Sequence, residues 1–97
     1  MARLENRVAF ITGAGSGIAR SAAQKFANEG AKVVIAELQE DLGQQVETSI
    51  TDQGQEAIFV QTDVTQEKSV RSAIQETVKH FGKLDVLYNC AGGSILE

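Results

Sequence analysis

The sequence contains no proline and no tryptophan, and only one cysteine, one tyrosine and one histidine in 97 residues. No low-complexity tract or linker interrupts it. A lone Cys90 cannot close an intramolecular disulfide, which suits a reducing compartment. A basic surplus is also missing: nine Lys and Arg stand against thirteen Asp and Glu, for a net charge of −4. Nucleic-acid binders and membrane-surface helices usually carry such a surplus, so neither partner is expected. Long apolar runs are absent too. The longest early one, Val8–Ile11, falls far short of the roughly 20 residues of a membrane span. It is also shorter than the roughly 7–15 residue core of a signal peptide. A soluble cytoplasmic protein is the expectation. No His or second Cys stands at metal-ligand spacing, and no metal is expected.

What is present is ordinary globular composition. Hydrophobic residues make up 42% and charged residues 23%, which excludes disorder. The length allows one domain with a modest core. Four short apolar runs, Val8–Ile11, Lys32–Ala36, Ala57–Val60 and Leu84–Leu87, start 24, 25 and 27 residues apart. They mostly lack polar alternation and read as strands buried on both faces, as in a parallel sheet.

Helical periodicity fills the gaps. In Gly17–Asn28 the expected apolar stripe is Ile18, Ala22 and Phe26. In Gln39–Thr51 it is Leu42, Val46, Ser49 and Ile50, and in Thr65–Phe81 it is Val70, Ile74, Val78 and Phe81. Thr65 is the expected N-cap of the third helix, with Glu67 complementing the helix dipole. Gly30 and Gly82 follow the first and third helices, where a left-handed residue ends a helix. Gly43 is a poor helix former and obscures the start of the second helix. The order β-α-β-α-β-α-β predicts an α/β fold, a Rossmann-type doubly wound parallel sheet with strand order 3-2-1-4. The first two helices should lie on one face and the third on the other.

The first strand runs into Thr12-Gly13-Ala14-Gly15-Ser16-Gly17-Ile18-Ala19 and at once into a helix. Glycines permit a tight turn and close backbone approach. The helix N-terminus offers free N–H groups and a positive dipole end to a pyrophosphate. The same glycines would also serve an ordinary strand-to-helix turn. A P-loop is excluded, because the turn closes with Ile18-Ala19 and lacks the Lys-Ser/Thr pair. A kinase glycine loop is excluded because a helix follows. Glu37 ends the second strand, twenty residues after Gly17. It is either a solvated strand-end charge or an acceptor for the 2′- and 3′-hydroxyls of a ribose, and it would repel a 2′-phosphate. Ser16, Leu38 and Gln39 supply no cation for such a phosphate.

These residues resemble the short-chain dehydrogenase/reductase family. Thr12-Gly13-x-x-x-Gly17-Ile18-Ala19 is similar to its Thr-Gly-x-x-x-Gly-x-Gly cofactor turn. Asp63-Val64 resembles its adenine-pocket pair, Asn89-Cys90-Ala91-Gly92 its Asn-Asn-Ala-Gly segment, and Phe81–Leu87 the lead-in to that segment. The resemblance implies that Gly13, Ser16, Gly17 and Ile18 hold the pyrophosphate and the neighbouring ribose. It implies that Glu37 holds the adenosine ribose with Leu38 beside the adenine, that Asp63 accepts from the adenine amino group, and that the Val64 backbone lines the same pocket. Asn89, Ala91 and Gly92 would pass their backbone along the cofactor.

Two residues depart from the family pattern: Ala19 replaces the third glycine, and Cys90 replaces the second Asn. The family's catalytic Ser, Asn and Tyr-x-x-x-Lys lie past its Asn-Asn-Ala-Gly segment. Tyr88, the only tyrosine, has Gly92 and not Lys four residues on, and reads as packing; His80 reads as a surface residue at a helix end. No catalytic residue is therefore expected. Residues 1–97 should be a truncated, NAD-binding Rossmann half-domain, inactive alone, of an enzyme that passes hydride between NAD and a small alcohol or carbonyl substrate. NAD is expected over NADP, and a homo-oligomer or association through the exposed fourth strand is expected. Two alternatives stay open. One is an S-adenosylmethionine-binding methyltransferase-like domain; the other is a non-catalytic nucleotide-binding module.

Overall fold

A computed structural model describes residues 4–13 and 17–89. Its elements are β1 (Val8–Thr12), α1 (Gly17–Asn28), β2 (Lys32–Glu37), α2 (Glu40–Thr51), β3 (Ala57–Gln61), α3 (Glu67–Phe81) and β4 (Val86–Asn89). The four strands form one parallel sheet in the order β3-β2-β1-β4. Both the element order and the strand order agree with the sequence expectation.

The continuous apolar runs arise because the central strands are covered on both sides. Ala9, Ile11, Val33 and Ile35 face α1 and α2; Val8, Phe10, Val34 and Ala36 face α3. All of these are buried. No helix among the described residues is long and apolar enough to cross a membrane.

The helices bury different stripes from those expected. On α1 the buried residues are Ala19, Ala23 and Ala27, whereas Ile18 is 78% exposed. Methyl side chains let the helix lie close to the sheet. Ala22 and the larger Phe26 are left half-buried along its flank. Ala19, the departure from a family glycine, is therefore a sheet-contact residue. On α3 the same logic selects Ala73 and Thr77, with Val70, Ile74 and Phe81 half-buried and Val78 exposed. The buried Thr77 hydroxyl donates to the Ala73 carbonyl at 2.9 Å, so no polar group is stranded.

On α2, Val46 and Ile50 are buried as expected, and so is Gly43. An added Cβ at Gly43 would overlap the Phe59 ring. This glycine lets α2 approach β3, and the loss of helix propensity follows from that contact.

Two boundaries differ as well. Thr65 is not the N-cap of α3; Gln66 occupies that position without a side-chain bond, and the helix begins at Glu67. Thr65 is diverted to Asp63, whose Oδ1 accepts the Thr65 hydroxyl at 2.6 Å and its N–H at 3.0 Å. The fourth strand begins at Val86, two residues after the expected Leu84. Asp85 occupies the first rung with its side chain: Val8 N–H donates to Asp85 Oδ2, and Asp85 N–H to the Val8 carbonyl, each at 2.9 Å. At the helix ends the expectation holds, since Gly30 and Gly82 both have positive φ. The Gly82 N–H closes α3 on the Val78 carbonyl at 2.7 Å.

Candidate functional site

The C-terminal ends of β1, β2 and β3 lie side by side, as the parallel register requires. Thr12 of β1 is paired with Ala36 of β2, and Glu37 with Gln61 of β3. The chain leaves β1 through Gly13 at φ 68°, with the Gly13 N–H donating to the Ala36 carbonyl at 2.9 Å. A positive φ here requires a residue without a Cβ penalty. Gly17 opens α1, and a Cβ added there would stand in open space with respect to the described residues. Packing against the described residues does not demand a glycine at that point. Ile18 beside it projects into solvent.

Glu37 is only 8% exposed, so it is not a freely solvated strand-end charge. Its Oε2 accepts the Gln39 N–H at 2.9 Å, and its carbonyl accepts the Thr62 N–H at 3.0 Å. Leu38 and Val64 are exposed at 55% and 40%, high for apolar side chains next to a cleft. Gln61 steadies this rim by donating from Nε2 to the Leu38 carbonyl at 3.0 Å. The Asp63 carboxyl is held below its ordinary pKa, mainly by the Thr65 hydroxyl and then by the Thr65 N–H, with slight burial opposing.

A cleft of about 150 Å³ brings these groups together; its lining includes Gly13, Glu37, Leu38, Asp63, Val64 and Thr65. Five of the residues expected from sequence thus share one cavity. Gly17 and Ile18 stand at the start of α1 and do not line it. Asn89 ends β4 opposite Thr12, and its Oδ1 accepts the Thr12 hydroxyl at 2.7 Å. Its side chain therefore ties β4 to β1, a role the sequence expectation, which used only its backbone, did not include. Ser16, Cys90, Ala91 and Gly92 lie outside the described residues. Thr65 was missed as a site residue. The Asp63-Val64-Thr65 spacing carried the signal, because a carboxylate readily accepts from the backbone two residues on.

An open parallel sheet, helices on both faces and a cleft at the strands' carboxyl ends define a Rossmann-type nucleotide-binding class. Comparison with known proteins narrows it. The short chain dehydrogenase family matches residues 7–97, and the chain belongs to that family. It is 48% identical over 100 residues to short-chain dehydrogenase reductase 3a of Arabidopsis thaliana, covering 98% of this chain and 38% of that protein. With secoisolariciresinol dehydrogenase of Forsythia intermedia the identity is 42% over 90 residues, covering 93% and 32%. Among solved structures, hydroxysteroid dehydrogenase from Escherichia coli superposes with a TM-score of 0.88 at 34% identity, covering 91% of this chain and 37% of that one. A short chain dehydrogenase from Mycobacterium smegmatis gives 0.89 at 35% identity, covering 95% and 38%. The chain spans about a third of the length of these relatives. The family binds nicotinamide dinucleotides, and the described residues form its Rossmann dinucleotide-binding portion.

Proposed function

We propose that this chain binds NAD(H) as the cofactor-binding portion of a short-chain oxidoreductase acting on an alcohol or carbonyl. The observation that carries the proposal is the cleft that joins Glu37, Leu38, Asp63 and Val64 beside Gly13. The residues fit an adenosine: a nearly buried acid for ribose hydroxyls, two apolar side chains for the flat base, and a second acid for an amino donor. Gly13, Ser16, Gly17 and Ile18 are assigned to the pyrophosphate and adjoining ribose at the α1 N-terminus, and the backbone of Asn89, Ala91 and Gly92 to a path along the cofactor. When bound, the cofactor supplies hydride chemistry; this chain's residues bind and orient it. Family membership sets aside the methyltransferase alternative.

NAD is favoured over NADP by the charge of the cleft. Among the described residues its lining holds Glu37 and Asp63 and no cation. Arg20, three residues after Gly17, lines a separate groove between α1 and α2 with Asp41 and Gln45. A carboxylate a few ångströms from a 2′-phosphate costs about 1–4 kcal/mol, depending on solvent shielding. The test compares catalytic efficiency with NAD and NADP in the enzyme carrying this sequence, before and after Glu37→Ser. A clear NAD preference that Glu37→Ser relaxes is expected. Equal efficiencies at the outset, or no response to the substitution, would refute the assignment.

A further inference from the structure

The turn after β3 holds Asp63 in a polar arrangement whose other members, Thr65 and Ser69, have no part in the cofactor roles above. Asp63 Oδ1 accepts two hydrogen bonds from one residue, the Thr65 N–H at 3.0 Å and the Thr65 hydroxyl at 2.6 Å. The Asp63 N–H in turn donates to Ser69 Oγ at 2.8 Å, in the first turn of α3. Oδ2 receives no bond from the described residues. Asp63 and Thr65 line the cleft together, next to Leu38 and Val64.

A partly exposed carboxylate on a turn can rotate, and a ligand that needs it in one orientation must order it on binding. The backbone bond from Thr65 is the common two-residue turn contact. The hydroxyl bond is additional, short and charge-assisted, and both bonds fall on the same oxygen. That arrangement selects one rotamer and commits Oδ1 to the protein, leaving Oδ2 for an outside donor. The Ser69 bond anchors the same residue's main chain to α3, so Asp63 is held at its main chain and at Oδ1.

We infer that Thr65 is a positioning residue for base recognition: its hydroxyl orients Asp63 so that Oδ2 takes the exocyclic amino group of adenine. The inference rests on the NAD proposal above. The adenine-discriminating unit of the cleft is then a pair, Asp63 with Thr65, and the discrimination is set by a side chain that need not touch the base.

The experiment is isothermal titration calorimetry with two probes: NAD, and its analogue with purine in place of adenine, which lacks only the amino group. The proteins are the wild type, Thr65→Val, Thr65→Ser and Asp63→Ala. Thr65 is exposed, so valine keeps the shape and the N–H bond and removes only the hydroxyl bond. The wild type should prefer NAD to the purine analogue. Thr65→Val should weaken NAD binding about 3- to 10-fold, the range for one net hydrogen bond, and leave the analogue unchanged. Thr65→Ser should restore the wild-type preference, and Asp63→Ala should abolish it. Equal weakening of both probes by Thr65→Val, or undiminished NAD binding, overturns the positioning role. A wild type that does not distinguish the probes overturns the Asp63 assignment. Binding of neither probe overturns the NAD proposal itself.

Discussion

Gly43 sits inside α2, where glycine costs about 1 kcal/mol relative to alanine, and the Phe59 ring occupies the space a Cβ would need. The two effects oppose each other in Gly43→Ala. The propensity gain is about 1 kcal/mol, and overpacking a fitted contact costs about 1–3 kcal/mol. Phe59 is half-buried on β3, an edge strand whose Phe59 N–H is also held by Glu47 Oε2 at 3.0 Å, so its backbone cannot easily yield. A net loss of about 1 kcal/mol is expected from urea unfolding of Gly43→Ala. Shrinking the ring should reverse it: added to a Phe59→Leu background, Gly43→Ala should be neutral or stabilising. Additive losses in the double variant would show that the ring is not the obstacle. At the same scale, Ala19 explains how one family glycine position accepts a methyl group here. It is fully buried in the α1–sheet layer as one of three alanines on that face.

Elements are joined at their ends by a few polar residues. At the N-terminal end of the sheet, Asp85 links β4 to β1 through reciprocal bonds with Val8, and Lys83 at 3.2 Å and Arg7 at 3.7 Å add opposite charge. The Val8 N–H, with smaller help from Lys83 and Arg7, holds the Asp85 carboxyl below its ordinary pKa against a burial effect of opposite sign. The folded state therefore binds the Asp85 proton less readily than the unfolded chain does. The stabilisation is complete above the unfolded carboxyl pKa of about 3.9 and is lost as pH falls through the lower folded value. Asp63 contributes with the same sign. Urea midpoints measured below about pH 5 should fall steeply for the wild type and less steeply for Asp85→Asn, with the two curves parallel at neutral pH. Identical acid limbs would contradict the assignment. At the opposite end of the same strand pair, the Thr12–Asn89 bond does the corresponding work, so β4 is held to β1 by side chains at both ends.

At the scale of the molecule, the two faces of the sheet are not equally covered. Among the described residues two helices lie over one face and one over the other, and β4 forms an edge of the sheet. Leu87 and Tyr88 on that strand are 44% and 37% exposed. The Tyr88 ring meets Phe26 edge-on at 5.8 Å, and the two rings line a groove of about 270 Å³ with Leu4, Ala22, Lys25 and Glu29. An apolar parallel edge pairs readily with another chain, and a charge on the edge opposes it. The 97-residue chain studied alone should self-associate in light scattering, and Leu87→Lys should shift it toward monomer. A wild-type chain monomeric at high concentration would contradict this expectation.

The alternation of apolar runs with helical periods predicts the β-α-β-α-β-α-β order and the parallel sheet, and the Rossmann-type class adds the strand order 3-2-1-4. Runs buried on both faces and right-handed crossovers leave few arrangements open. The candidate cleft was largely legible as well. Glu37 ends a strand, Gly13, Leu38, Asp63 and Val64 follow strands, and a parallel register brings strand ends to one edge. Periodicity could not decide which helical residues touch the sheet. It weights large apolar side chains, whereas close approach selects small ones, so Ala19 was buried and Ile18 exposed. The roles of Asp85, Asn89, Thr65 and Gly43 likewise needed the tertiary structure. Each depends on what a partner distant in sequence, or a turn with a specific side-chain bond, places within about 3 Å. Pattern sets the class of each element, because burial is a property of one element's surface. The partner of each polar group is decided only when two surfaces meet.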